Sequence, residues 1–231
     1  MKRLRINWCR AFTVLELLIV VTVLFVLAAL VLPEWARQQR RSRNHVHCGN
    51  NLKQIGLAFK TWAIDNNDKY PMQVSVTNGG TMELVKEGNA WPHFLVMSNE
   101  LSTPRVLFCA EETDARRKLA NSFTPSAPVR GNDLRPLTND CSVSYFVGVD
   151  ATEDRPNTLL SGDCNLVVDG QPVSHGLQSL WTNRTVVWSK SKHQGQGYIL
   201  LSDGSVQMLS NQSWRSVLTA TGVATNRLAM P

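Results

Sequence analysis

The chain has 231 residues, 43% of them hydrophobic, and a formal charge of +6 at neutral pH. Its first 11 residues carry four basic side chains and no acidic one, so residues 12–231 carry only about +2. This balance argues against a nucleic-acid-binding protein, and the length allows one globular domain beside an anchoring segment.

An apolar run of 21 residues, from Phe12 to Leu32, follows this basic leader. At about 1.5 Å per helical residue it covers roughly 31 Å, close to the hydrocarbon thickness of a bilayer. An ordinary secretory signal has a shorter apolar region, although Ala28-Ala29 is a candidate cleavage site for one. We therefore predict a transmembrane helix over residues 12–32, with a cleaved signal peptide as the alternative.

Glu16 is the only charged residue within the run, and a charge inside a membrane-length helix is costly enough to need a reason. The flanking charges do not orient the helix, because four basic residues precede it and four follow it. These residues are Lys2, Arg3, Arg5 and Arg10 before the run, and Arg37, Arg40, Arg41 and Arg43 after it.

A second helical segment, residues 33–64, follows the apolar run. Pro33 is expected to kink or interrupt the helix where the run stops. Beyond it, apolar residues recur at steps of four, three, four and three, which places them on one helix face. We expect that face to pack on a globular domain, while the basic front half is solvated or contacts lipid headgroups. The stripe consists of Cys48, Leu52, Ile55, Phe59 and Trp62.

Residues 65–231 are predicted to form a globular α+β domain. The segment from Asp65 to Pro71 is rich in Asn and Asp and should end the helix, with a calcium site as the weaker alternative. Short helices or buried pieces are expected at Met82–Lys86, Trp91–Met97 and Val106–Cys109, a polar helix at Glu111–Asn121 and an exposed loop at Thr124–Thr138.

Strand patterns then follow. We predict strands at Val143–Val149, Leu166–Val168 and Thr185–Trp188. The clearest unit is a hairpin over residues 197–209 around Asp203-Gly204, a dipeptide that favours a turn with positive φ at both positions. A closing helix is expected over 211–220. The predicted architecture is therefore a long amino-terminal helix packed on an antiparallel sheet.

Four cysteines lie beyond the leader, namely Cys48, Cys109, Cys141 and Cys164. An even number in an exported domain favours two disulfides, with three pairings open, although free buried thiols remain an alternative. No zinc-ribbon spacing occurs among them.

Three polar groupings have both a functional and a structural interpretation. His193 with Asp203 suggests catalysis or a metal, but a turn with a packed His is favoured because no nucleophile or third ligand accompanies them. His45, His47 and Cys48 suggest a metal site, but on a helix only His45 and Cys48 share a face. We favour a helix surface there, with Cys48 in a disulfide or packed as a thiol. The basic cluster of residues 37–43 could bind the phosphates of lipid or DNA. We favour a solvated helix face or contact with lipid headgroups, because no interleaved aromatic side chains accompany the cluster. No catalytic residue, metal or cofactor is predicted.

The start of the apolar run resembles the processing site of type IV prepilins and type II secretion pseudopilins. Those proteins carry a basic leader, a small residue, a Phe and a Glu four residues after the Phe. Ala11, Phe12 and Glu16 occupy these positions, and Leu15–Leu18 matches the usual L-E-L-L core. The family usually has Gly before the cut, where this chain has Ala11. Pro33 lies where many pilins have a helix-kinking proline.

The resemblance implies that a membrane prepilin peptidase removes residues 1–11 by cutting between Ala11 and Phe12, and then methylates the new Phe12 amine. It places the amino terminus in the cytoplasm and the domain in the periplasm. It also implies an inner-membrane assembly platform and neighbouring pilin-like subunits as partners. In such a filament, Glu16 of one subunit would pair with the Phe12 amine of the next, which offsets the desolvation of both charges.

The carboxyl-terminal half is similar to the H-x9-D-G group of pilin-like proteins from Planctomycetes and Verrucomicrobia. His193 is followed by nine residues and then Asp203-Gly204. The stretch from Cys48 to Ala58 is also similar to that group. A filament subunit that is not an enzyme is therefore expected, released to a filament or the cell surface after assembly. The alternative is a membrane-anchored module that binds polysaccharide, DNA or an export substrate without forming filaments.

Overall fold

The computed structural model describes residues 13–124 and 135–231, apart from the side chains of residue 37 and residues 40–43. Four α-helices lie in these ranges, and they are α1 Val14–Asp65, α2 Trp91–Leu95, α3 Ser98–Leu101 and α4 Trp214–Ala220. Six 3₁₀ helices connect other segments, and they are Pro71–Gln73, Val76–Asn78, Met82–Glu87, Pro104–Leu107, Asp140–Ser142 and Asn211–Ser213. The loop expected at Thr124–Thr138 lies largely outside the described residues.

Nine strands occur in the described ranges. They are β1 Tyr145–Gly148, β2 Leu159–Asp163, β3 Leu166–Val168, β4 Gln171–Pro172, β5 Gly176–Trp181, β6 Val186–Trp188, β7 Gly197–Leu201, β8 Val206–Leu209 and β9 Thr225–Met230. Six form an antiparallel sheet in the order β5-β9-β1-β2-β7-β8, and three form a smaller sheet in the order β4-β3-β6. The chain is thus α+β with a long amino-terminal helix and an antiparallel sheet.

The chain divides into two compact units between Arg43 and Asn44. The first contains one segment, Val14–Ala36, that is long and apolar enough to span a membrane. Its large hydrophobic side chains are exposed, from 45% at Val20 to 82% at Val14. The helix is not interrupted at Pro33, which lies inside α1.

In the second unit, the carboxyl-terminal half of α1 packs on the larger sheet through the predicted stripe. Cys48, Leu52, Ile55 and Phe59 are fully buried, and Trp62 is 6% exposed, so the prediction of this face is confirmed. The stripe shares one hydrophobic core with sheet residues, among them Tyr145, Val147, Leu160 and Leu200. Gly56 allows the close approach, because a Cβ at that position would lie 2.8 Å from the Leu200 side chain.

A second hydrophobic core includes residues of α4. Trp214 and Leu218 of this helix are buried with Trp188, Ile199 and Leu228. The ring centroids of Trp188 and Trp214 lie 4.9 Å apart. The helix expected over residues 211–220 therefore begins as a 3₁₀ turn and continues as α4.

The end of α1 matches the expected helix stop. Asn67 and Asp68 adopt left-handed φ values of 58° and 56°, and the Asp68 amide donates to the Ala63 carbonyl at 2.9 Å. Asn and Asp tolerate this geometry better than most residues, because their short polar side chains bond locally.

The hairpin over residues 197–209 is formed by β7 and β8, with one difference at the turn. Gly204 has a φ of 87°, whereas Asp203 is not among the residues with positive φ. The Gly204 amide donates to the Leu201 carbonyl at 2.9 Å, and the Ser205 amide donates to Oδ1 of Asp203 at 2.7 Å. The connection is therefore longer than the two-residue turn that Asp-Gly suggests.

The prediction of a polar helix at Glu111–Asn121 is wrong, since the structure has turns and irregular chain there. Oε1 of Glu112 accepts hydrogen bonds from the amides of Thr113 and Asp114, and Oδ1 of Asp114 accepts one from the amide of Arg116. These local bonds compete with helical hydrogen bonding. In this irregular segment, the Glu111 side chain faces the buried His193 side chain, and the Glu112 side chain faces the buried Lys192 ammonium.

Candidate functional site

The first candidate site is the amino-terminal end of α1. Oε2 of Glu16 accepts hydrogen bonds from the amide and the hydroxyl of Thr13, both at 3.0 Å, and the Glu16 amide donates to the Thr13 hydroxyl at 3.2 Å. This reciprocal arrangement is a capping box, which satisfies amides that a helix start leaves unpaired. The processing residues Ala11 and Phe12 lie outside the described residues.

The capping box gives Glu16 a role within its own chain. Both bonds from Thr13 reach the same oxygen, Oε2, so neither uses Oε1. Further along the helix, the Thr22 hydroxyl donates to the Leu18 carbonyl at 2.7 Å, which satisfies the other polar side chain of the apolar segment. Glu16 is the only charged residue between Val14 and Leu32, and the large hydrophobic side chains around it are exposed.

The four cysteines in the described ranges form one disulfide. Cys48 of α1 is bonded to Cys109, with their Cα atoms 5.3 Å apart, whereas Cys141 and Cys164 are free thiols. The expectation of a second disulfide is therefore corrected. Cys141 is exposed on a 3₁₀ turn, while Cys164 is partly buried with its Sγ 3.4 Å from Nζ of Lys192.

A buried polar cluster surrounds His193. Its side chain is fully buried, with Nδ1 lying 3.1 Å from Oε2 of Glu111 and Nε2 lying 3.5 Å from Oδ2 of Asp163. Nε2 is also 3.3 Å from Sγ of Cys109, and the His45 ring lies 4.6 Å from the His193 ring. The cluster thus joins α1, the Glu111 segment, β2 and the loop before β7.

The backbone of His193 is held in an unusual conformation. His193 and Gln194 have φ values of 48° and 57°, and Gly195 follows at 82°. Left-handed geometry costs a non-glycine residue on the order of 1 kcal/mol or more, so the surrounding contacts must impose it. One such contact is the hydrogen bond from the His193 amide to Oε2 of Glu111 at 2.9 Å.

An ion pair lies beside the cluster. Nζ of Lys192 is 2.5 Å from Oε2 of Glu112, and both side chains are almost fully buried. Ser144 donates to the same oxygen at 2.8 Å, and Arg117 approaches it to 3.6 Å. Burial acts to raise the pKa of Glu112, but the Lys192 ammonium together with the hydrogen bonds from Ser144 and the Asp114 amide holds that pKa below its usual range.

His45 lies partly exposed at the edge of the cluster. Its Nε2 is 3.7 Å from Oε1 of Glu111, and the two side chains are 19% and 15% exposed. Burial lowers the pKa of His45 and outweighs the opposite effect of the Glu111 carboxylate. The expectation that His45 belongs to a helix surface is therefore incomplete, because its Nε2 faces the Glu111 carboxylate and its ring lies beside the buried His193 ring. His47, two residues further along α1, is exposed.

Asp203 has a structural role in the hairpin turn. Its amide donates to the Pro156 carbonyl at 3.1 Å, and its carboxylate accepts from the Ser205 amide. The two parts of the H-x9-D-G pattern thus serve different ends, since His193 enters the polar cluster and Asp203-Gly204 forms the turn.

A cleft opens on the domain surface near Arg116 and Arg117. Two cavities of about 270 and 550 Å³ share these arginines together with Asp114, His175 and Pro231. Nε2 of His175 lies 2.9 Å from Oδ2 of Asp140 within this region. The larger cavity also reaches Lys192 and Glu112, so the cleft is lined by both charges, with Arg116 paired to Asp114 and Lys192 paired to Glu112.

No protein-family model, curated protein or solved structure matches this chain. Sequence patterns did not indicate Glu111, Asp163 or Lys192, because each lies in a separate segment and has no motif around it.

Proposed function

We propose that the chain is a pilin-like subunit of a type II secretion or type IV pilus-like filament. Residues 1–11 are removed by a prepilin peptidase, and the apolar part of α1 is held in the inner membrane until an assembly platform extracts it. Within the filament, this helix packs against neighbouring subunits and the α+β domain faces outward.

The observation that carries the proposal is the exposed apolar surface from Val14 to Leu32, whose single carboxylate, Glu16, lies near its start. A surface of this length and composition requires a membrane or partner helices to cover it, since no described part of the chain does so. A carboxylate at that depth is costly unless a cation accompanies it. A new amine at Phe12 supplies that cation at a similar depth, in the register that prepilins use.

Shearing experiments test the proposal in cells that express the full-length chain. We expect the chain in the inner-membrane fraction and also in the fraction of filaments released by shear or pelleted from the periplasm. In cells that lack the assembly platform, it should remain in the membrane only. Recovery in the membrane fraction alone, in both backgrounds, would contradict the filament assignment.

The cleft near Arg116 and Arg117 favours a second candidate function, a membrane-anchored binding module. Its larger cavity of about 550 Å³ falls within the usual range for small-molecule sites. Such a module needs the membrane helix but no filament, so the shearing experiment separates the two functions.

A further inference from the structure

The side chains of His45, Glu111 and His193 form a group that the filament function does not use. One ligand atom from each lies within 4.8 Å of the other two. Glu111 lies between the two rings, with Oε1 facing Nε2 of His45 at 3.7 Å and Oε2 facing Nδ1 of His193 at 3.1 Å. For metal bonds of about 2.0–2.2 Å, ligand atoms of a tetrahedral site are separated by about 3.3 Å, so the spacing approaches that of a metal centre.

Two atoms of the group are buried without a hydrogen-bond partner in the described part of the chain. They are Nδ1 of His193 and Oε1 of Glu111, and the His193 side chain is fully buried. Buried polar atoms in folded proteins are almost always hydrogen-bonded, so two such atoms on neighbouring side chains require an explanation. A cation bound between them satisfies both.

The charges around the group also favour a bound cation. The carboxylates of Glu111 and Asp163 lie on opposite sides of the His193 ring. The buried ammonium of Lys192 contacts Glu112 and not Glu111. Two imidazoles and the Glu111 carboxylate offer the nitrogen and oxygen ligands that a divalent transition metal binds.

We propose that His45 Nε2, His193 Nδ1 and the Glu111 carboxylate bind one divalent transition-metal ion, with Zn²⁺ as the best fit. Two imidazole nitrogens and one carboxylate oxygen form a common open zinc site, whose remaining position is taken by water. Binding requires the three atoms, which lie within 4.8 Å of one another, to approach to the roughly 3.3 Å of a tetrahedral site. The partial exposure of His45 and Glu111 provides the path for entry.

The neighbours of His193 suit this role. With Nδ1 on the metal, Nε2 carries the proton and faces Oδ2 of Asp163 and Sγ of Cys109. A carboxylate behind a ligating histidine fixes its tautomer and orientation. Asp163 is itself held, because its Oδ2 accepts a hydrogen bond from the Tyr198 amide at 2.8 Å. Asp163 is thus a positioning residue for the site.

The Cys48–Cys109 disulfide holds two of the ligands together. Cys48 lies three residues after His45 on the same helix face, and Cys109 lies two residues before Glu111. The bond therefore fixes α1 to the Glu111 segment next to the proposed metal position.

Metal titration of the full-length chain in detergent, purified without a histidine tag, tests the site. Zn²⁺ binding is followed by calorimetry, and Co²⁺ binding by its visible absorption. We expect one equivalent of either ion to bind, and His45→Gln and Glu111→Gln each to weaken binding at least tenfold. His47→Gln is the matched control on the exposed side of the same helix and should bind as the parent chain does. Asp163→Asn should weaken binding roughly 10–100-fold.

Any of three results would overturn the proposal. One is the absence of saturable one-equivalent binding by the parent chain, which needs no variant to fold. Another is a strong sulfur-to-cobalt charge-transfer band, which would place the ion on Cys48, Cys109 and His193 instead. Circular dichroism of each metal-free variant shows that any loss of binding arises in a folded chain, and equal binding by folded His45→Gln and Glu111→Gln would also exclude the site.

Discussion

Replacement of Glu16 with Gln is expected to abolish incorporation into filaments while the chain still inserts into the membrane. Gln keeps an oxygen that accepts from the Thr13 amide and hydroxyl, as Oε2 of Glu16 does, so the capping box is preserved. It removes the negative charge, and the Phe12 amine of a neighbouring subunit then has no counter-charge inside the apolar bundle. The measurement is the fraction of chain recovered in sheared filaments relative to the membrane.

Thr13→Ala is the matched control, because it removes the capping hydroxyl and leaves the Glu16 charge in place. We expect this variant to assemble at close to the parent level, since the helix start is supported by the long apolar segment behind it. The opposite pattern, with Glu16→Gln assembling and Thr13→Ala failing, would mean that Glu16 acts only as a helix cap.

Loss of the Cys48–Cys109 disulfide should have the largest effect on the stability of the outer domain. The bond closes a loop between residues 61 positions apart, and loop-closure entropy gives about 4 kcal/mol for such a loop. The double variant Cys48→Ser/Cys109→Ser should therefore lower the free energy of unfolding by about that amount. Urea denaturation of the detergent-solubilised chain, followed by tryptophan fluorescence, measures it.

Cys141→Ser controls for the loss of a thiol, because Cys141 is exposed and unbonded. Its free energy of unfolding should stay within about 0.5 kcal/mol of the parent chain. Equal stability of the double serine variant and the parent under oxidising conditions would show that the disulfide does not form in the protein.

Periodic features of the sequence were predictable because their cause is local. The stripe from Cys48 to Trp62 has a helical repeat, and its burial follows from that repeat alone. The β7–β8 hairpin likewise follows from two apolar runs around Asp203-Gly204. These predictions needed no knowledge of the tertiary neighbours.

Strands β2, β5 and β9 were missed because their patterns are mixed. The β9 strand carries Asn226 and Arg227, and Arg227 pairs with Asp150 on the exposed side while Leu228 is buried. It lies between β1 and β5, so its strand structure depends on partners far along the chain. Such non-local pairing overrides local preference.

The His193 cluster could not be derived from sequence for the same reason. The sequence suggests His45 as a metal ligand only with its neighbours on the same helix, and it predicts a polar helix around Glu111 that does not form. Their approach depends on the Cys48–Cys109 bond and on the left-handed turn at His193, which is set by tertiary contacts.

Mass spectrometry of the amino-terminal peptide of the mature protein, purified from its own membranes, tests the central claim most directly. The filament account predicts a chain that begins at Phe12 and is heavier by one methyl group on its amine. An intact Met1, or a first residue near Pro33 that leaves the apolar segment behind, would contradict it.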